Sequence, residues 1–243
     1  MNALTMFVKS LDAATGFHLN AEQRVLKKLT QLAPLADEQL RLRDQRFVVL
    51  DTETTGLRPG KGDRVTSLGA VVVENGMVNE SKTFYELVDP GRNIPEEISQ
   101  LTGITNDMVA GKPNLTEVLN RFLPWAGKSV LAGHVMQFDL AFINRHLLTS
   151  CGRKLVHTSL DTKQLAEYAF PDTAHYTLED ICSFLAIPCA PRHHALNDAL
   201  SAARLLEATL SVLDQQGVNS LIELKRFMRC RRMLAPVVSP MEC

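Results

Sequence analysis

Asp51 and Glu53 stand two residues apart at the end of a short β-rich run, Arg46-Phe-Val-Val-Leu-Asp51. At that spacing on a strand both side chains point to one face, so the two carboxylates converge. Like charges this close, at the edge of an apolar strand, raise each other's pKa unless a cation lies between them. A divalent metal is the economical partner; a pair of solvated acids in a loop is the alternative. Thr54, Thr55, Gly56 and Leu57 follow directly. Two hydroxyls and a glycine offer hydrogen bonds and close backbone approach to a phosphate or sugar, although an ordinary turn has the same composition. Asp139, in Gly133-His-Val-Met-Gln-Phe-Asp139, lies where a strand gives way to a helix. Its carboxylate can face the same sheet edge as Asp51, or merely cap that helix. His193 and Asp198, in Arg192-His-His-Ala-Leu-Asn-Asp198, are the last pair. Within one helix they would point about 140° apart. To act together, His193 must lie on the loop before a helix whose first turn carries Asp198. A histidine so placed can titrate near neutral pH and serve as a base, whereas many loop histidines are only surface residues. The adjacent His194 is the weaker candidate, being one residue closer to Asp198.

These residues need a scaffold, and periodicity and punctuation supply its outline. Arg46–Asp51 reads as a buried strand. Val65–Val73 and Met77–Leu87 read as an antiparallel pair joined at Glu74-Asn75-Gly76, where Asn-Gly suits a tight turn. After Pro95 the sequence turns helical, through Leu101–Ile104 and Leu115–Phe122. Ser129–Ala132 resumes a strand, Phe138–Leu148 is a long helix, and Lys154–Leu160 supplies a fifth strand. Further helices are expected over Thr162–Tyr168, from Thr177, and over Asn197–Leu213. Three strands followed by alternating helices and strands describe an α/β protein with a mixed sheet. Ahead of it, Met1 to Arg46 has helical spacing through Val25, Leu29 and Leu32 and a break at Pro34.

The 243 residues are balanced in charge, 26 Lys and Arg against 27 Asp and Glu, and 45% are hydrophobic. That excludes disorder and a generally basic coat, but permits a local basic patch. Lys225–Arg232 carries five cations in eight residues and could contact phosphate backbones, though a solvated basic face is the default. Five scattered cysteines without a C-x-x-C pair indicate neither a disulfide framework nor a zinc site. No apolar run approaches a bilayer span, and Met1–Phe17 lacks the pattern of an export signal, so a cytoplasmic protein is expected.

Taken together, Asp51-x-Glu53, Phe138-Asp139 and His193-x4-Asp198, in this order, resemble the DEDDh (epsilon-like) family of 3′–5′ exonucleases. The resemblance runs from about Arg46 to Leu213 and includes Leu101-Thr-Gly-Ile-Thr105 and Tyr176-Thr-Leu-Glu-Asp180. It implies a ribonuclease-H-like fold, a five-stranded mixed sheet flanked by helices with Asp51 and Glu53 on the central strand. Residues 46–213 would form the exonuclease domain, between a helical extension, 1–45, and a basic one, 214–243. The resemblance also implies two Mg²⁺ or Mn²⁺ ions held by Asp51, Glu53, Asp139 and Asp198, with Asp51 bridging and His193 as general base. Thr54, Thr55, Leu57, His134 and Phe138 would contact substrate, Leu57 wedging against the last base. The implied reaction is hydrolysis of phosphodiester bonds from the 3′ end of single-stranded nucleic acid, DNA more than RNA, releasing nucleoside 5′-monophosphates. Partners would be that 3′ end and a DNA polymerase subunit or a second copy of the chain, with roles in replication or repair.

Two positions depart from the family pattern. Gly133-His134-Val135 replaces the usual His-Asn before Phe-Asp, and Thr102 stands where many relatives have histidine before Gly-Ile-Thr. Both bear on substrate contact more than on metal binding. RNA 3′-end trimming is the alternative activity, and a non-catalytic nucleic-acid-binding module or polymerase-associated adaptor the alternative class. A phosphatase-like enzyme with Asp51 as nucleophile would leave Glu53 and the His193/Asp198 pair without a role.

Overall fold

The computed structural model describes residues 19–32, 36–189 and 192–234. Five strands, β1 (Phe47–Thr54), β2 (Val65–Glu74), β3 (Met77–Leu87), β4 (Val130–Gly133) and β5 (Ser159–Asp161), form one sheet in the order β3-β2-β1-β4-β5. β1 is antiparallel to β2 and parallel to β4, so the sheet is mixed and β1 is central. β2 and β3 turn through Asn75 and Gly76, both with positive φ, as the Asn-Gly pair requires.

Alternation along β1 sends successive residues to opposite faces. Phe47 and Val49, with Val71 and Val73 of β2, pack under α8 (Ala195–Gln215), α6 (Thr162–Ala169), α7 (Leu178–Phe184) and α9 (Leu221–Leu234). Val48 and Leu50, with Leu68, Ala70 and Val72, pack against α4 (Leu115–Ala126), α5 (Gln137–Cys151) and α1 (Ala21–Leu32). Both faces are dry, and for that reason β1 and β2 read as nearly continuous apolar runs. Two short helices, α2 (Glu96–Thr102) and α3 (Asn106–Val109), sit over the small cluster of Ile94, Ile104 and Val109.

Several boundaries differ from the sequence reading. β1 runs past Asp51 to Thr54, because β2 continues to pair with it as far as Glu53 opposite Ser67, where a bulge ends the regular register. The fifth strand is only Ser159–Asp161; β4 is four residues long and offers it three partners, and apart from the Thr158 carbonyl, which accepts the Leu131 N–H, Lys154–Thr158 stays outside the ladder. In α1 the inner face carries Leu26, fully buried, and Thr30, with Leu29 packed beside them, while Val25 is 49% exposed: Leu29 of the expected stripe faces the core and Val25 does not. Pro34 lies outside the described residues, as do residues 1–18 and the side chains from Arg229 onward, which include most of the basic cluster. α8 continues beyond Leu213, and α9 folds back, with Leu221 and Leu224 in the core and Lys225 paired with Glu38. No helix among the described residues is long and apolar enough to cross a membrane.

Candidate active site

The site grows from the parity of β1. Asp51 and Glu53 continue the face of Phe47 and Val49, the face covered by α8, and Glu53 is only 8% exposed. Asp51 lies opposite Gly69 of β2. A Cβ built on Gly69 would stand 2.3 Å from both the Ala195 carbonyl carbon and the Leu196 nitrogen. Only a glycine lets the start of α8 rest directly on the sheet, and that contact brings Asp198, in the first turn of α8, beside the two strand acids. His193 precedes the helix with φ 61°, and its backbone N–H donates to Asp198 Oδ2 at 3.0 Å. Glu53, His193 and Asp198 each present a ligand atom within 4.8 Å of the others.

Asp139 reaches the cluster from the other face of the sheet. It is buried in the first turn of α5, and the Thr52 hydroxyl, between the two strand acids, donates to its Oδ1 at 2.6 Å. The strand thus offers two carboxylates on one side and a hydroxyl that fixes a third on the other. Val135, just before α5, has φ 61° despite its branched side chain, so both loops delivering helix acids to the site hold a non-glycine residue in the left-handed region.

Electrostatics follow from crowding. Burial, then the charges of Asp139, Asp198 and Glu53, push the Asp51 carboxyl well above the usual range. Burial, then Asp198 and Asp139, raise Glu53 to about 7. Burial raises Asp139 to about 7 although the Thr52 hydrogen bonds oppose it, and burial raises Asp198 against the pull of Arg192. Arg192 lies 3.0 Å from Asp198 Oδ1 and 2.6 Å from Glu179, the one cation drawn into the cluster among the described residues. The buried Asp198 carboxylate thus accepts the His193 N–H on Oδ2 and faces the Arg192 guanidinium from Oδ1. Buried carboxyl groups that raise one another's pKa, a crowded set of hard oxygen donors, fit a divalent cation, which would satisfy them together.

The expected substrate contacts fare unequally. Leu57 is 75% exposed, an apolar side chain left in the open beside the acids, and Phe138 packs on Phe142 with ring centroids 5.0 Å apart. Thr54 gives its hydroxyl to the Gly56 carbonyl at 2.7 Å; Thr55 accepts from the Arg64 N–H at 3.1 Å and is 1% exposed. His134 uses both ring nitrogens within the protein, Nε2 donating to the Tyr176 carbonyl at 3.1 Å and Nδ1 meeting the Thr162 hydroxyl at 3.2 Å. It ties the β4–α5 loop to the chain before α7, and burial lowers its pKa. His194 stacks on Tyr85 of β3, ring centroids 4.7 Å apart, which anchors the loop carrying His193. Gly69, Thr52, Tyr85 and Arg192 were not singled out by sequence reasoning. Their roles depend on which elements meet; only the glycine inside a β-branched strand was a local signal of close approach.

The family model described as RNase_T exonuclease matches residues 48–206, spanning every residue of this cluster. The chain belongs to that exonuclease family. It is 39% identical over 186 residues to the DNA polymerase III subunit epsilon of Aquifex aeolicus, covering 76% of this chain and 91% of that protein. A DNA polymerase III of the PolC type from Clostridium perfringens is 36% identical over 173 residues, 71% of this chain but 12% of the relative. The chain therefore matches nearly all of one curated relative and a small part of another. The nuclease domain of 3′hExo, a DEDDh family member solved with rAMP bound, superposes with a TM-score of 0.61 over 72% of this chain and 94% of that one, at 19% identity. The fold is that of the DEDDh exonucleases, ribonuclease-H-like, and the chain carries a 3′–5′ exonuclease domain of the epsilon type.

Proposed function

We propose that the chain hydrolyses single-stranded nucleic acid from its 3′ end, DNA in preference to RNA, releasing nucleoside 5′-monophosphates. The observation that carries this reading is the convergence of Glu53, His193 and Asp198 within 4.8 Å, next to Asp51 and Asp139. Asp51, Glu53, Asp139 and Asp198 would hold two divalent ions, Mg²⁺ or Mn²⁺, whose Lewis acidity polarises the scissile phosphate and offsets charge in the transition state. The protein's own contribution is positional. β1 fixes Asp51 and Glu53, Thr52 orients Asp139, and the Gly69 contact sets Asp198. His193 takes the proton of the attacking water on its imidazole as the bond from phosphorus to the leaving 3′ oxygen breaks. Leu57 stacks against the terminal base and Phe138 lines its pocket, contacts that tolerate any base. Thr54, Thr55 and His134 act through the loops their side chains brace.

The similarity to a polymerase III epsilon subunit over 91% of its length supports action at a primer end, in company with a polymerase. The test is degradation of 5′-labelled DNA and RNA strands of one sequence with Mg²⁺, Mn²⁺ or chelator, beside Asp51→Ala. A ladder shortening from the 3′ end, absent with chelator and in the variant, is expected, and faster on DNA. Undegraded strands in all metals would leave a binding module as the function.

A further inference from the structure

Beyond the carboxylate cluster, α5 presents a second feature. Gln137, Leu140, Ala141, Asn144, Arg145 and Leu148 recur at helical spacing along one face of α5 and line an open trough of about 370 Å³. Pro59 and Gly60, of the turn Pro59–Lys61, and Lys154, after α5, form its other wall. Pro59 and Arg145 also line an adjoining cavity of about 110 Å³ that contains Arg64. From Gln137 to Leu148 the floor is about 16 Å long at the helical rise.

Charge and position give the trough its character. No acid lines its wider part, and among the described residues neither Arg145 nor Lys154 has an ion-pair partner. In the narrower part, the Asp63 carboxylate is engaged by Arg92 at 3.0 Å and by the Arg58 N–H at 2.9 Å, and Arg64 meets Asp63 only through its backbone carbonyl, at 3.2 Å. Asn144 spends its Oδ1 on the Leu155 N–H, so its amide nitrogen is the part left to donate. One end lies close along the chain to the catalytic cluster: Gln137 immediately precedes Phe138 and Asp139 at the start of α5, and exposed Leu57 comes two residues before the Pro59–Lys61 turn.

We propose that this trough is the path of the substrate strand, its cations and side-chain amides holding the backbone phosphates of the nucleotides upstream of the scissile bond. The proposal rests on the exonuclease reading and extends it from one nucleotide to several, since about 16 Å spans roughly five phosphates at the 3.4 Å rise of a stacked strand. The ligand is a sugar-phosphate backbone of either nucleic acid. Cations and amides along an apolar floor read phosphates and not bases, so sequence preference is not expected from it.

The test compares the full-length chain with an Arg145→Ala, Lys154→Ala double variant. Binding of fluorescein-labelled dinucleotide and of a single strand of about 15 nucleotides is measured by anisotropy in chelator, across a salt series. In the wild type the longer strand binds more tightly than the dinucleotide. The double variant is expected to lose about tenfold of that gain, and its salt slope on the longer strand to fall by about 1.4, two phosphate contacts at about 0.7 each. Lys154→Glu alone should weaken the longer strand further than Lys154→Ala. An unchanged gain with length and an unchanged slope would overturn the proposal, as would an equal loss on the dinucleotide. Absence of turnover in the wild type with Mg²⁺ and Mn²⁺ would count against the proposed function, while the binding comparison would still decide the trough.

Discussion

Gly69→Ala tests whether backbone contact, and not only the acids, builds the site. The added methyl would lie 2.3 Å from two backbone atoms of Ala195 and Leu196, where ordinary contact is 3.4–4 Å. Neither is the end of a flexible side chain, so the start of α8 has to recede by about 1 Å, 2.3 Å being that far short of 3.4 Å. Asp198 and the backbone of His193, joined at 3.0 Å, move with it away from Glu53 and Asp51. A displacement of about 1 Å in a reacting constellation costs on the order of a hundredfold in rate. Overpacking of this kind costs about 1–3 kcal/mol, several degrees in melting temperature for a chain this size. The assay is single-turnover cleavage of a labelled strand at saturating Mn²⁺, with Mn²⁺ affinity by calorimetry and the fold by circular dichroism. A folded variant cleaving within about threefold of wild type would refute the reasoning, because it would mean that α8 can shift without disturbing the site.

Other perturbations have equally definite outcomes. Thr52→Val keeps the shape of the side chain but removes the hydrogen bond to Asp139; Mn²⁺ affinity by calorimetry should fall about 10- to 100-fold, as for other partners that orient metal ligands. Arg192→Gln removes the cation that competes for Asp198, so the metal-free melting temperature should drop while Mn²⁺ affinity rises; a fall in affinity would show that Arg192 helps to hold the metal. The pH dependence has a fixed sign. Glu53 and Asp139, raised to about 7, hold protons in the folded protein that the unfolded chain releases near pH 4, so metal-free stability is lost as pH rises through about 4 to 7. For Glu53 alone the effect is roughly 3 kcal/mol. Scanning calorimetry with chelator should show melting temperature falling between about pH 4 and 7, with excess Mg²⁺ reversing the slope because binding requires the ionised acids.

The sequence made the strand acids legible because Asp51 and Glu53 interrupt an apolar run at the strand period, and Asp139 and Asp198 because each begins a helical pattern. The mixed α/β class followed from three strands read before the helices alternate with strands. What stayed hidden depends on contacts between elements. Nothing near Val25 says that Leu26 faces α4 and α5, and nothing near Lys154 says that a four-residue β4 limits its neighbour to Ser159–Asp161. His134 reads as a substrate contact until Thr162 and Tyr176 are seen to occupy its ring. Arg192, next to His193, becomes part of the charge balance only when α8 brings Asp198 against the sheet.

The separation of Asp198 from Asp51 along the chain also has a consequence in time. During synthesis at about 5–20 residues per second, the hairpin of β1 and β2 emerges many seconds before α8. Until α8 docks on Gly69, Asp51 and Glu53 lack Asp198, and the His193 N–H lacks its carboxylate acceptor. A ribosome-bound fragment holding the whole hairpin and α5 therefore carries three of the four acids yet no complete centre. A nuclease born among messenger RNA and nascent chains acquires its cutting edge only as α8 closes over the sheet.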